Sequence, residues 1–191
     1  MKKLIIGIWI LFVAPVGIVF EVPPAFSQFS DSYHLLNAIK NNDMVVAKER
    51  LSGGANANAK RGGNPGLVIA ANGRFYEMMR LLLDSGARPD VKTDNREETA
   101  LMIVAARGDE FAFNLLLEFG ADVNLADGQG RTALMKAAGA RKAQMVKLLI
   151  KNGADIYPSD YTGRDALQFA EEGRARSIVK ILKEAMAAET E

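Results

Sequence analysis

The side chains that could do chemistry are few in this chain of 191 residues, and their spacing decides against most reactions. His34 is the only histidine and there is no cysteine. A histidine-based triad therefore has a single possible base, and a His/Cys metal site cannot be built. His34 reads as a surface or packing residue of a helix. Three acidic pairs, Glu97-Glu98, Asp109-Glu110 and Glu171-Glu172, suggest acid/base carboxylates. Adjacent residues on a helix do not face one another, however, and Asp109 stands where a helix begins and favours its dipole. The glycines at Gly62-Gly63 and Gly128-x-Gly130 lie in turns, not between a strand and a helix, so they form no phosphate loop. The expectation is a chain with no catalytic residues, no cofactor and no metal.

What the chain does carry is a period. Tyr33, Pro65, Thr99, Thr132 and Asp165 follow one another at 32, 34, 33 and 33 residues, and Gly54, Gly86, Gly120 and Gly153 at 32, 34 and 33. Leu35, Leu67, Leu101, Leu134 and Leu167 sit two residues after the first marker, with Ala38, Ala70, Ala105, Ala138 and Ala170 following. Each unit is a short alanine-rich helix and a leucine-rich helix ending at Gly-Ala, too small to bury its own core. Alanines let the first helix approach the second. Leu81-Leu82-Leu83, Leu115-Leu116-Leu117 and Leu148-Leu149-Ile150 are expected to fill the layer between units, at roughly 1.5 to 3 kcal/mol for each buried side chain. Thr99, Thr132 and Asp165 suit helix N-caps, Pro65 a first helical turn, and the glycine after each second helix a left-handed C′ seat.

The stretch from Gly120 to Asp155, GADVNLADGQGRTALMKAAGARKAQMVKLLIKNGAD, resembles the ankyrin repeat, whose pattern is close to D-x-x-G-x-T-P-L-H-x-A-A followed by G-x-x-x-V-V-x-L-L-L-x-x-G-A-D-x-N. The resemblance implies an all-α solenoid of about five helix-turn-helix repeats with short hairpin fingers between them, over about 28–59, 60–93, 94–126, 127–159 and 160–191. The family's histidine is missing. Val68, Met102, Met135 and Gln168 hold its place, which removes one hydrogen bond per repeat and predicts lower stability than a consensus array. Glu49-Arg50-Leu51 in the first copy and the final IVKILKEAMAAETE give the ends polar outer faces, as caps require.

The amino terminus reads as an export signal over residues 1–27. Met1-Lys2-Lys3 is a positive start, Leu4 to Phe20 is an apolar run of 17 residues, and Ala25-Phe26-Ser27 places small residues for cleavage before Gln28. The layout looks bacterial, which points to the periplasm. Retention as an inner-membrane anchor is the alternative, because 17 residues is long for a signal core and short for a span. Without cysteine, the exported fold rests on apolar stacking. Removing Lys2, Lys3 and Glu21 leaves 22 basic and 22 acidic residues. A neutral chain argues against nucleic-acid or anionic-membrane binding, and a monomer is expected.

A stack presents surface, and ankyrin proteins hold partners with their fingertips and the concave face of the first helices. Carried over by register, those places are Lys60, Arg61 and Asn64 in the first finger and Lys92, Asn95, Arg96 and Glu98 in the second. The third gives Gln129 and Arg131, the fourth Tyr161 and Arg164, and the concave side Asn72, Arg107 and Ala140. Arg107, Arg131, Tyr161 and Arg164 are expected on one face with little scaffold duty, in residue types that often become hot spots. The second finger departs from the pattern, with one extra residue and Glu97 for the turn glycine. Together these features suggest a non-catalytic adaptor that protects or inhibits a protein partner. Exported bacterial ankyrin proteins of this layout are associated with oxidative-stress defence or toxin neutralisation. A membrane-tethered scaffold is the alternative, and an enzyme a distant third.

Overall fold

The computed structural model describes residues 24–188, arranged as five helix pairs in a row. The pairs are α1 (Pro24–Asn41) with α2 (Met44–Ser52), α3 (Gly66–Gly73) with α4 (Tyr76–Asp84), α5 (Ala100–Arg107) with α6 (Glu110–Glu118), α7 (Ala133–Gly139) with α8 (Ala143–Lys151), and α9 (Ala166–Glu172) with α10 (Arg176–Ala188). A small hairpin, β1 (Lys60–Arg61) and β2 (Asn64–Pro65), precedes α3. The Ser27–Gln28 junction falls within α1, and the apolar run Leu4 to Phe20 lies outside the described residues. Among the described residues no helix is long and apolar enough to cross a membrane.

The markers do the local work their chemistry suggests. Thr99 Oγ1 accepts the Met102 N–H and Thr132 Oγ1 the Met135 N–H, each at 3.4 Å, opening α5 and α7. Asp165 accepts the Gln168 N–H at 2.8 Å while the Gln168 side chain accepts the Asp165 N–H at 3.0 Å, a reciprocal cap on α9. Pro65 differs from expectation: it is the cap residue itself, extended at φ −59° and ψ 148°, and helix α3 starts after it. Its place opposite Lys60 in the hairpin holds it out of the helix. Asp109 caps α6 by accepting the Ala112 N–H at 3.2 Å, as its position promised. After the second helices Gly54, Gly86, Gly120 and Gly153 take φ between +77° and +89°. A Cβ there would meet nothing within 4 Å, so backbone conformation, not crowding, calls for glycine.

The inner helices α1, α3, α5, α7 and α9 stack on one another, with Ala38, Ala70, Ala105, Ala138 and Ala170 buried between them. The leucine triplets are not uniformly internal. Leu82, Leu116 and Leu149 are fully buried, whereas Leu81, Leu117, Leu148 and Ile150 are only half-covered. Three consecutive helical residues span about 200° of the helix circumference, so one face cannot take all three. At the first end Arg50 pairs with Asp31 at 3.2 Å and Val45 is exposed; at the other, Ile178 and Leu182 point inward while Lys180 and Lys183 face solvent.

Candidate functional site

The second, third and fourth fingers are each built around one buried polar side chain, Thr93, Asp127 and Asp160. In the third finger the Asp127 N–H donates to the Arg131 carbonyl at 3.0 Å. Its buried carboxylate accepts the N–H groups of Gln129 and Arg131 at 2.9 Å, the Arg131 guanidinium at 2.9 Å and Lys136 Nζ at 2.7 Å. Burial alone would raise its pKa, but Lys136 and the backbone and side-chain donors of Arg131 and Gln129 outweigh it and hold the group at about 2. The fourth finger repeats the plan: Asp160 accepts the Thr162 hydroxyl at 2.6 Å, the Thr162 and Arg164 N–H groups, and Arg164 Nη2 at 3.0 Å. These donors, the Thr162 hydroxyl foremost, keep its carboxyl far below the ordinary range.

The second finger shows where its extra residue went. Thr93 takes the aspartate's place, donating its N–H to the Glu98 carbonyl at 2.9 Å and accepting the Glu98 N–H on Oγ1 at 3.0 Å. Asp94 to Glu97 then occupy the tip where the third finger has only Gly128 to Gly130, and Glu97 adopts the turn glycine's left-handed backbone at φ +55°. The insertion is absorbed at the tip, which pushes Asn95 and Arg96 outward. In the first finger Gly62 and Gly63, at φ +54° and +77°, make the tight turn of a two-residue hairpin.

Neighbouring fingers are joined edge to edge. The Asp94 N–H donates to the Gly63 carbonyl, the Gly128 N–H to that of Arg96, and the Tyr161 N–H to that of Gln129, at 2.9 to 3.0 Å. Lys60 Nζ reaches the Lys92 carbonyl at 2.9 Å and pairs with Asp94; Lys92 Nζ reaches the Ala126 carbonyl at 2.7 Å. Below this row lies a groove of about 640 Å³ along α3, α5 and α7. Ile103 and Phe169 are its part-exposed apolar side chains, and Val68, Met102 and Met135 lie buried beneath it.

The chain from residue 35 to 190 matches the family pattern described as ankyrin repeats in three copies, once over 35–127 and again over 101–190. The protein belongs to the ankyrin repeat family. It is also 28% identical over 88 residues to the ankyrin repeat and KH domain-containing protein mask-1 of Caenorhabditis elegans, a stretch that is 46% of this chain and 3% of that protein. Ankyrin repeats are protein-interaction modules, and the all-α solenoid with finger hairpins is the architecture observed. Among the described residues, no group of three or more acidic or histidine side chains is placed to hold a metal.

The ankyrin groove brings together Asn64, Arg96, Arg107 and Arg131, with Asn72, Asn95 and Glu98. Gln129 shares an adjoining hollow with Arg96 and Arg131. Lys92 lies away from both, beside Lys60 and Arg88. Arg61 bonds to Asn37 Oδ1 and sits 5.9 Å from the Tyr33 ring, while Tyr161 is 80% exposed and projects from the fourth finger. Ala140 is exposed and does not line the groove.

Three of the arginines expected to be idle are structural. Arg107 donates to the Ala71 and Asn72 carbonyls at 2.9 and 3.0 Å and to Asn72 Oδ1 at 2.6 Å, closing the C-terminal end of α3 from the next repeat. Arg131 and Arg164 neutralise the buried aspartates of their own fingers, and Arg164 also lies 4.5 Å from the Phe169 ring. Arg96 alone among the groove arginines is exposed with no side-chain partner among the described residues. Lys136 was not anticipated; it bridges Glu98 and Asp127 at 2.7 Å each, tying the second finger to the third. Its only sequence signal is a lysine on an otherwise apolar inner helix.

Proposed function

We propose that this protein is a non-catalytic adaptor of the bacterial periplasm whose concave groove holds a segment of a protein partner, protecting or inhibiting it. The observation that carries the reading is Arg96, an exposed guanidinium with no partner among the described residues, which shares the groove with the part-exposed apolar side chains of Ile103 and Phe169. Such a pairing of a free arginine with apolar surface is the composition of a binding hot spot. The neighbouring cations are already committed, so the groove has a rigid frame and one side chain ready for a ligand. Stress defence and toxin neutralisation are the two settings the family resemblance supports.

Export rests on the order of Met1-Lys2-Lys3, the apolar run and Ala25-Phe26-Ser27. N-terminal sequencing of the protein from fractionated cells tests it. A chain beginning at Gln28 in the periplasmic fraction is expected; an intact Met1 in the membrane fraction would favour the tethered scaffold, which the 17-residue length of the run supports.

A further inference from the structure

At the end of the stack opposite the fingers, every inner helix turns into its outer helix through a residue with left-handed backbone. These are Asn42, Arg74, Gly108, Arg141 and Arg174, at φ +54°, +58°, +75°, +61° and +52°. Glycine takes this conformation without steric cost and asparagine tolerates it, but arginine does not. Arginine nevertheless holds three of the five places.

Nothing in the packing rewards it. Arg74 is 61% exposed, and its ion contact is a 3.8 Å approach to Asp109. Arg141 and Arg174 are exposed, and their side chains have no ion pair or hydrogen bond among the described residues. Arg176 is likewise exposed, and Lys142, half-buried with its stem over Gly108 of the preceding repeat, also has no ion pair or side-chain hydrogen bond among the described residues. The acids of this rim are mostly occupied. Asp109 caps α6 and accepts the Tyr76 hydroxyl at 2.9 Å, Glu171 pairs with Lys183 at 3.6 Å, and Glu172 with Arg164 at 3.4 Å. The loops of repeats four and five lie side by side, since a Cβ on Gly173 would stand 3.7 Å from the Gly139 carbonyl. The last two repeats therefore present Arg141, Lys142, Arg174 and Arg176 on one edge. Two of these cations occupy strained seats.

We propose that this rim is a second docking site, separate from the groove, for an acidic segment of a protein partner. Guanidinium groups take carboxylates in a bidentate fork, which suits discrete acidic side chains. Stacked helices repeat at about 8–10 Å, and three residues of extended chain cover about the same distance at about 3.3 Å each. Acidic residues three apart would thus meet Arg141 and Arg174 in turn. A continuous polyanion is a poorer match, because its charges follow one another without the gap that sets one carboxylate against each guanidinium.

The test uses a fluorescein-labelled peptide of repeated Glu-Ser-Gly triplets, with an oligothymidylate and phosphatidylglycerol vesicles as rival ligands. The protein should bind the peptide in a salt-sensitive manner and more tightly than either rival. Arg141→Gly with Arg174→Gly should weaken peptide binding at least about tenfold, the equivalent of roughly 1.4 kcal/mol, without lowering the thermal midpoint. Arg141→Asn with Arg174→Asn should behave alike, and Arg96→Ala should bind the peptide normally, which separates this site from the groove. Unchanged peptide binding in both double variants would overturn the proposal, as would preferential binding of the oligonucleotide or the vesicles. A lower melting point in both double variants would overturn it as well, since the arginines would then be serving the fold.

Discussion

Asn124 and Asp90 hold the same place in successive repeats, and only Asn124 grips both edges of the turn that follows. Its Nδ2 donates to the Gly153 carbonyl at 3.1 Å and its Oδ1 accepts the Asp155 N–H at 2.9 Å. Asn58 makes the same bracket to Gly86 and Arg88. Asp90 accepts the Asp122 N–H at 3.1 Å and, ionised, has no proton to offer the other edge. Burial, reinforced by the nearby Asp122, raises its pKa despite that hydrogen bond.

Asp90→Asn should therefore stabilise the protein by about 1 kcal/mol, the usual net worth of a hydrogen bond. A carboxyl whose folded pKa is raised costs stability once the pH exceeds its unfolded pKa. The gain should accordingly be larger at pH 7 than at pH 3. Urea midpoints at the two pH values measure it; equal or lower stability at pH 7 would show that the second edge needs no donor.

Asp127 should behave in the opposite sense. Its folded pKa of about 2 lies below the unfolded value, so its contribution is present above about pH 4 and lost as the pH falls through about 2. Asp127→Ala at neutral pH leaves Arg131 and Lys136 without their shared carboxylate and should cost about 3 kcal/mol. Asp127→Asn should flatten the acid limb of a stability–pH curve between about pH 4 and 2. Asp160, shifted the same way, keeps some slope in place.

Leu149 and Leu148 separate burial from mere apolar pattern. Leu149 is fully buried, and Leu149→Ala should cost about 2 to 5 kcal/mol. Leu148 is half-covered, so Leu148→Ala should cost less than half as much. Thermal unfolding of the two variants gives the ratio, and equal losses would place the core on the wrong face of α8.

Much of the scaffold was legible because its marker residues have one job each. Gly153 fits a left-handed helix end, Thr132 caps a helix, and Ala138 permits close approach, so their recurrence fixes register. Contacts between repeats were not legible. Periodicity says where Arg107 stands in its own repeat, but not that its guanidinium reaches the Ala71 and Asn72 carbonyls. Nor does a triplet of leucines say which member faces inward. Thr93 escaped notice because a hydroxyl there does the work of a carboxylate, and the strained seats of Arg141 and Arg174 did so because arginine carries no turn signal. Arg96, the residue on which binding is placed, was found by family register, while its freedom became visible only once its neighbours' partners were known.

Site-specific photocrosslinking tests the groove most directly. A benzophenone side chain placed at Arg96 or Ile103, both on the groove, or at Lys147 or Lys180 on exposed positions of the outer helices, reports which face touches the partner in living cells. We expect one discrete crosslinked partner from Arg96 and Ile103 and none of that mass from Lys147 or Lys180. Crosslinks to the same partner from Lys147 and Lys180, with none from the groove, would contradict a concave binding face.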